Sequence, residues 1–106
     1  MYELTMERDA ERDAMRICVA GEVDLFAAPD FKNRLYEAVG EGQTDVVLDC
    51  TGLTYIDSTG LGILLGALKR VRQNSHHVYI CNLKDSIRKL FRITGLDKAF
   101  ILEEAQ

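Results

Sequence analysis

One stretch in the middle of the chain decides the fold: residues 45–71 read DVVLDCTGLTYIDSTGLGILLGALKRV. Its first six residues form a short, β-branched apolar run, which is typical of a buried strand. Apolar residues then recur at positions 61, 64, 65, 68 and 71, which is the spacing of one buried helix face. The stretch therefore predicts a strand, a loop over residues 51–57 and an amphipathic helix with Ser58 as its N-cap.

Three further elements are expected between this stretch and the N-terminus. Apolar and polar residues alternate over 2–6 and 14–20, which predicts two adjacent antiparallel strands. After the turn at 21–24, Pro29 stands at a suitable first helical position, and apolar residues follow at helical spacing until Gly40. The N-terminal region therefore predicts a strand pair followed by one amphipathic helix.

Toward the C-terminus, the apolar run at residues 78–81 predicts another strand. Asn82 and Asp85 are spaced like a reciprocal capping pair at the start of a helix. Gly95 is the expected stop signal of that helix, and residues 100–102 form a short last strand or a docking segment. The inner face of the helix is expected to comprise Ile87, Leu90, Phe91 and Thr94.

The predicted order of elements is β-β-α-β-α-β-α, followed by the short segment at 100–102. Strands that alternate with helices imply right-handed crossovers and a largely parallel sheet with one antiparallel edge. We therefore expect a single α/β domain over residues 1–106. It would contain a mixed, mostly parallel β-sheet of about four or five strands, flanked by about three or four helices.

Composition and charge restrict the class of function. The chain has 106 residues, 13 basic and 17 acidic side chains and a formal net charge of −4, which is typical of one soluble globular domain. Without a basic patch, direct binding of nucleic acid is not expected. The uncharged run over 58–68 is far shorter than the roughly 20 residues of a membrane span, and the N-terminus has no secretory-signal pattern. We expect a cytoplasmic protein with no membrane partner.

Cysteine and histidine residues give no indication of a metal or a cofactor. Cys18, Cys50 and Cys81 are odd in number, widely spaced and each within an apolar run, so we expect reduced thiols in the core. His76 and His77 are adjacent and have no partner at a metal-ligand spacing. The sequence predicts neither a metal site nor a cofactor.

The residues around Ser58 do not match common catalytic motifs. Residues 56–60 lack the first glycine of the G-x-S-x-G nucleophile elbow, and the two histidines precede a strand at the expected far end of the sheet. The glycines between 60 and 66 do not fit G-x-G-x-x-G, and no Gly-Lys-Ser/Thr follows. We therefore predict that the protein is not an enzyme, with a small serine hydrolase as the formal alternative.

Three motifs, in the right order and spacing, resemble one family: the anti-sigma factor antagonists of the STAS group. Gly21-Glu22-Val23-Asp24 with Ala28-Pro29 is similar to the family's turn into its first helix. Tyr55-Ile56-Asp57-Ser58-Thr59-Gly60-Leu61-Gly62 resembles its phosphorylation loop. Arg88-Lys89-Leu90-Phe91 and Ile93-Thr94-Gly95-Leu96 are similar to its third helix and exit. The resemblance spans nearly the whole chain and implies a STAS-type domain.

What the resemblance implies is a partner switch. The unphosphorylated antagonist would bind an anti-sigma factor that is also a serine kinase, and this binding would free a sigma factor for transcription. Ser58 matches the family's phosphoacceptor; the kinase would bring ATP and Mg²⁺, and a serine phosphatase would reset the switch. A phosphate on Ser58 would meet the positive end of the helix dipole, so we expect the helix to persist and the added charge to act at the binding surface.

Two glycines in the predicted helix require an explanation, because each destabilises a helix by about 1 kcal/mol relative to alanine. Gly62 and Gly66 follow Ser58 at i+4 and i+8, so either the partner or another element of the domain comes close to this face. Asp57 is expected to be recognised by the kinase, although a carboxylate there also stabilises the helix. Asp24 joins the surface or only satisfies loop amides. The expected partner-binding residues are Asp24, Asp57, Ser58, Thr59, Gly60, Gly62 and Gly66.

A second function stays open from the sequence. It is a STAS scaffold or sensor module of a signalling complex, in which Ser58 or Thr59 is modified but the partner is not a sigma regulator. The sequence also leaves open whether the protein is a monomer or a weak dimer.

Overall fold

The structure is a computed structural model that describes residues 1–103. Within that range, six strands form one mixed sheet, and three α-helices and one 3₁₀ turn connect them. The strands are β1 (Tyr2–Asp9), β2 (Ala14–Val23), β3 (Asp45–Asp49), β4 (Leu53–Ile56), β5 (Val78–Cys81) and β6 (Ile101–Glu103). The helices are α1 (Ala28–Val39), α2 (Ser58–Arg72) and α3 (Asp85–Thr94), and the 3₁₀ turn covers Leu96–Lys98. The predicted α/β class is confirmed; residues 104–106 of the expected domain lie outside the described range.

The sheet has the predicted mixture of one antiparallel edge and parallel pairs. Its strand order is β1-β2-β3-β5-β6, with β4 paired to β2 beside this path. Only β1 runs antiparallel to its neighbour, and the other described pairs are parallel. The long strand β2 has two partners on one side, since its first half pairs with β3 and its last residues pair with β4.

Strand β4 corrects the expectation of a loop over residues 51–57. After β3, the amide of Leu53 donates to the carbonyl of Cys50 at 3.0 Å, and the chain re-enters the sheet after this tight turn. Leu53 and Ile56 are buried, whereas the two residues between them are exposed. A strand of four residues without strict apolar–polar alternation gives little sequence signal.

All three helices pack on one face of the sheet. Ile17, Leu48 and Ile80 point to this side and belong to one apolar cluster with buried residues of every helix. Helix α2 contributes Leu61, Leu64, Leu68 and Val71, as its spacing predicted. Leu65, predicted on the same face, is only partly buried. The main core therefore lies between the sheet and the helix layer.

Long side chains, not a helix layer, cover the apolar residues on the opposite face. Ala14, Val47 and Cys81 are buried there. Arg16 reaches from β2 to carboxylates on both neighbouring strands, Asp9 at 3.4 Å and Asp49 at 3.3 Å. Burial alone would raise the pKa of Asp49, but hydrogen bonds from Thr51 and Asn82 and the charge of Arg16 lower it below its ordinary value. This face is therefore closed by an ionised, hydrogen-bonded network.

Helix α3 differs from its sequence prediction at both ends. Lys84, not Asn82, is its N-cap, and Asn82 has a positive φ of 63° in the turn after β5. Thr94, expected on the inner face, is exposed, and its hydroxyl donates to the carbonyl of Leu90 at 2.9 Å within the helix. The spacing of Asn82 and Asp85 matches a capping pair, but it carries no information on the backbone conformation of Asn82, and the N-cap lies two residues later.

The three cysteines are free, as predicted. Cys50 and Cys81 are buried, whereas Cys18 is only partly buried on the network-covered face, so its expected core position is wrong. Burial raises the pKa of the Cys50 thiol above its ordinary value, which keeps it protonated at neutral pH. Among residues 1–103, no helix has both the length and the apolar character needed to cross a membrane.

Candidate functional site

Two neighbouring parallel strands end together and bring the predicted site residues to one end of the sheet. Val23, the last residue of β2, pairs with Ile56, the last residue of β4. The amide of Asp57 also donates to the carbonyl of Val23 at 3.4 Å. Asp24 and Asp57 are therefore the residues that directly follow two adjacent strands, and α2 begins at Ser58 immediately after Asp57.

The N-cap of α2 is Asp57, so the expectation that Ser58 caps the helix is wrong. Asp57 has extended backbone, and its Oδ1 accepts a hydrogen bond from the amide of Gly60 at 3.0 Å. That bond satisfies one of the helix's unpaired amides in the usual N-cap manner. Aspartate and serine cap helices about equally well, so sequence alone does not choose between adjacent candidates.

Ser58 is the first residue of α2, and its side chain is exposed. Within residues 1–103, its hydroxyl makes no hydrogen bond, so it has no capping role in the fold. The amides of Ser58 and Thr59 are in the first helical turn, where no intrahelical acceptor exists. Their dipoles favour a negative group at this position. Thr59 is exposed beside it.

Asp24 organises the turn that leads to α1. Its Oδ1 accepts a hydrogen bond from the amide of Ala27 at 2.9 Å, so it does satisfy a loop amide. We call the exposed residues Ser58, Thr59 and Gly62 the Ser58 surface. Asp24 follows the strand that ends beside β4, so it lies at the edge of this surface. Both roles left open by the sequence are therefore compatible with its place in the fold.

The three glycines of α2 have different surroundings. A Cβ at Gly60 would lie 2.6 Å from Cγ1 of Ile56 and 3.1 Å from Cγ1 of Val23, so the core needs a glycine there. A Cβ at Gly66 would overlap the hydroxyl oxygen of Tyr36 on α1. A Cβ at Gly62 would meet no heavy atom within 4 Å. Internal packing thus accounts for Gly60 and Gly66 but not for Gly62.

Exposed apolar residues next to Asp24 were missed in the sequence. Leu25 and Phe26 lie in the turn between β2 and α1, with 63% and 91% of their surface exposed. Tyr55 is also exposed, near the end of β4. The available signal was two adjacent apolar residues between predicted elements, where periodicity gives them no buried face.

The histidines lie at the other end of the sheet, as predicted. Nδ1 of His76 is 3.2 Å from Oδ1 of Asp45, which begins β3, whereas Ser58 follows the strand ends. No imidazole is therefore placed to take a proton from the Ser58 hydroxyl. In the described part of the chain, no group of three or more His, Cys, Asp or Glu residues is arranged to hold a metal ion.

This fold and this strand-end serine define a STAS-type domain. The chain belongs to the STAS domain family, whose family model matches residues 6–105. An anti-sigma-B factor antagonist from Staphylococcus epidermidis is 37% identical over 93 residues, which cover 88% of this chain and 86% of that protein.

Two solved structures share the fold. The anti-sigma factor antagonist SpoIIAA in its unphosphorylated form gives a TM-score of 0.78 at 23% identity, covering 98% of this chain and 89% of that one. The Bacillus cell fate determinant SpoIIAA in the phosphorylated form gives 0.72 at 23% identity, covering 98% and 92%. At this level of identity the likeness establishes the fold.

Proposed function

We propose that the protein is an anti-sigma factor antagonist controlled by phosphorylation of Ser58. In its unphosphorylated form it binds an anti-sigma factor, and this releases a sigma factor for transcription. One observation carries the proposal: the exposed Ser58 hydroxyl stands at a helix N-terminus without a structural role, because Asp57 caps the helix. The name of the Staphylococcus epidermidis relative supports the same function.

The chemistry of the switch belongs to the partners. The anti-sigma factor is also the serine kinase and supplies ATP and Mg²⁺, and a serine phosphatase removes the phosphate. This chain is the substrate and not an enzyme, since its two histidines lie at the other end of the sheet from Ser58 and cannot act as a general base there. The free thiols are compatible with a reducing compartment, and in this proposal the protein acts in the cytoplasm as a monomer or a weak dimer.

Phosphorylation acts at the surface and leaves the helix intact. A phosphate on Ser58 adds a charge of about −1.5 to −2 at pH 7, and the first-turn amides and the helix dipole stabilise it. The same charge lies beside the carboxylates of Asp57 and Asp24 and makes a concentrated negative region. That SpoIIAA was solved in both unphosphorylated and phosphorylated forms with this fold supports the idea.

Gly62 explains why a phosphate prevents binding. Its exposed position and the open space around it let a partner backbone approach α2 one turn after Ser58. A phosphate adds bulk and charge beside this approach. The partner then loses contact because the surface has changed, while the core packing of α2 remains.

The test is a pull-down. Wild-type protein, Ser58→Ala and Ser58→Glu are each immobilised and incubated with lysate of the source cell, and the bound proteins are identified by mass spectrometry. Thr59→Ala is the matched control, since Thr59 is the neighbouring exposed hydroxyl. We expect wild type, Ser58→Ala and Thr59→Ala to retain an ATP-binding anti-sigma factor and Ser58→Glu to lose it. Circular dichroism should show equal helix content in all four.

Two results would contradict the proposal. If all four immobilised proteins capture the same set of proteins, and that set contains no anti-sigma factor, a STAS scaffold or sensor module would be favoured. Esterase turnover that Ser58→Ala abolishes would instead indicate a serine hydrolase.

A further inference from the structure

Three exposed apolar residues lie at the end of the sheet that carries Asp24. Leu25 and Phe26 belong to the turn after Asp24. Met1, 96% exposed, is held next to β2 by a hydrogen bond of 2.9 Å from the amide of Glu22 to the Met1 carbonyl, and it lines one groove together with Phe26. We name Met1, Leu25 and Phe26 the turn patch. Single exposed apolar residues are ordinary, but a group of them at a site edge is typical of an interaction surface.

An acidic groove shares two residues, Met1 and Phe26, with the turn patch. It is lined by Met1, Tyr2, Asp24, Phe26, Ala27 and Asp30. The hydroxyl of Tyr2 donates to Oδ2 of Asp30 at 2.6 Å, which fixes the carboxylate of Asp30 at the start of α1. The guanidinium of Arg34 lies over the Tyr2 ring, 5.6 Å from the ring centre, but Arg34 is not among the residues that line the groove. Two carboxylates and an exposed aromatic ring are the surroundings that favour a bound Arg or Lys side chain.

We propose that the turn patch and this groove form the part of the binding surface that selects the anti-sigma factor. Phe26 enters an apolar pocket of that protein, and a basic side chain at the rim of the pocket lies in the groove next to Asp30. The inference rests on the proposed function and adds the chemistry that the partner must present. Asp24 lines the groove and also flanks the Ser58 surface, so one partner covers both.

The apolar part is tested with the purified anti-sigma factor that wild-type protein captures. Calorimetric titration compares Phe26→Ala with Ile93→Ala, a matched control because Ile93 is an exposed apolar residue, 72% exposed, on α3. We expect Phe26→Ala to weaken binding by about tenfold or more, since a buried aromatic anchor dominates an interface. Ile93→Ala should bind within about twofold of wild type. Both variants should melt like wild type, because neither side chain fills the core.

The charged part is tested with Asp30→Asn, whose amide oxygen still accepts the Tyr2 hydrogen bond. Its control is Glu37→Gln, another exposed acidic residue of α1. We expect Asp30→Asn to weaken binding about threefold or more at low salt and to make affinity less dependent on salt concentration, because an ion pair is screened by salt. Glu37→Gln should change neither quantity.

The outcomes separate this inference from the proposed function. Wild-type affinity of Phe26→Ala, with Ser58→Glu still unable to bind, would overturn the turn patch as an anchor and leave the switch standing. An unchanged salt dependence in Asp30→Asn would overturn the basic partner side chain. If the wild-type protein captures no anti-sigma factor, the proposed function and this inference fail together.

Discussion

The two sides of α2 carry the same residue type for opposite reasons. On the inner side, Gly60 and Gly66 allow Ile56 and Tyr36 to come close, so each glycine is part of the packing. On the outer side, Gly62 and Ser58 touch nothing that would require them. The difference teaches that the inner side of this helix is built for the fold, whereas its outer first turns are available for a partner.

The largest effect on this comparison is expected from Gly60→Val. The new side chain would overlap Ile56 and Val23 in the core, and overpacking of this kind costs about 2–3 kcal/mol. Urea unfolding should show this loss, while Gly62→Val, the matched change on the outer side, should stay within about 0.5 kcal/mol of wild type. Equal losses in the two variants would contradict the distinction between the two sides.

A smaller loss is expected from Gly66→Ala, because Tyr36 is half-buried and its ring can move only partly. We expect a net loss of about 1 kcal/mol after the better helix propensity of alanine is included. The nearest atom would be the Tyr36 hydroxyl oxygen, and the next ring carbon would lie 3.2 Å away.

Tyr36→Phe removes the overlapping oxygen and supplies a second-site test of this contact. The double variant should recover most of the stability that Gly66→Ala loses, while Tyr36→Phe alone should have little effect. Thermal unfolding of the four proteins measures the coupling. Additive effects would show that Gly66 is not there for Tyr36.

The next effect concerns which residue caps the N-terminus of α2. Asp57→Ala should cost about 1 kcal/mol, since it leaves the Gly60 amide without its acceptor, whereas Ser58→Ala should stay within about 0.5 kcal/mol of wild type. Chemical denaturation of the two variants measures the difference. An equal cost for Ser58→Ala would restore the capping role to the serine and remove the main support for the switch.

The last change in stability, that of Gly62→Ala, is expected to have the opposite sign. Alanine should stabilise the helix by up to about 1 kcal/mol, because nothing within 4 Å opposes a Cβ. Binding of the anti-sigma factor should weaken in the same variant, since the close approach is lost. A stabilised protein with unchanged affinity would show that the exposed glycine does not serve the partner.

The sequence predicted the features that depend on periodicity. The buried face of α2 at Leu61, Leu64, Leu68 and Val71 followed from helical spacing, and the antiparallel edge followed from alternation. It did not predict β4, because four residues hold too little alternation to identify a strand. The α/β fold was thus available from local patterns, whereas the second pairing partner of β2 depends on tertiary contacts.

The sequence predicted which residues lie at the candidate site better than it predicted what each side chain does there. That Asp24 and Asp57 follow neighbouring strand ends results from the parallel pairing of β2 and β4, which the sequence did not reveal. The cap could not be assigned, because Asp57 and Ser58 are equally suitable by type. The reason for Gly66 depended on Tyr36, which is 30 positions earlier in the chain and on a different helix. Side-chain roles of this kind are set by packing between distant residues.

The hydrogen bond between Glu22 and the Met1 carbonyl has a practical consequence for handling the protein. It holds the first residue at the same end of the sheet as Asp24 and Ser58. A purification tag joined to Met1 would therefore emerge beside the surface that the binding experiments measure, and a bulky one would obstruct it. A tag or surface attachment placed after β6 would instead start at the other edge of the sheet, with β3 and β5 between it and β2.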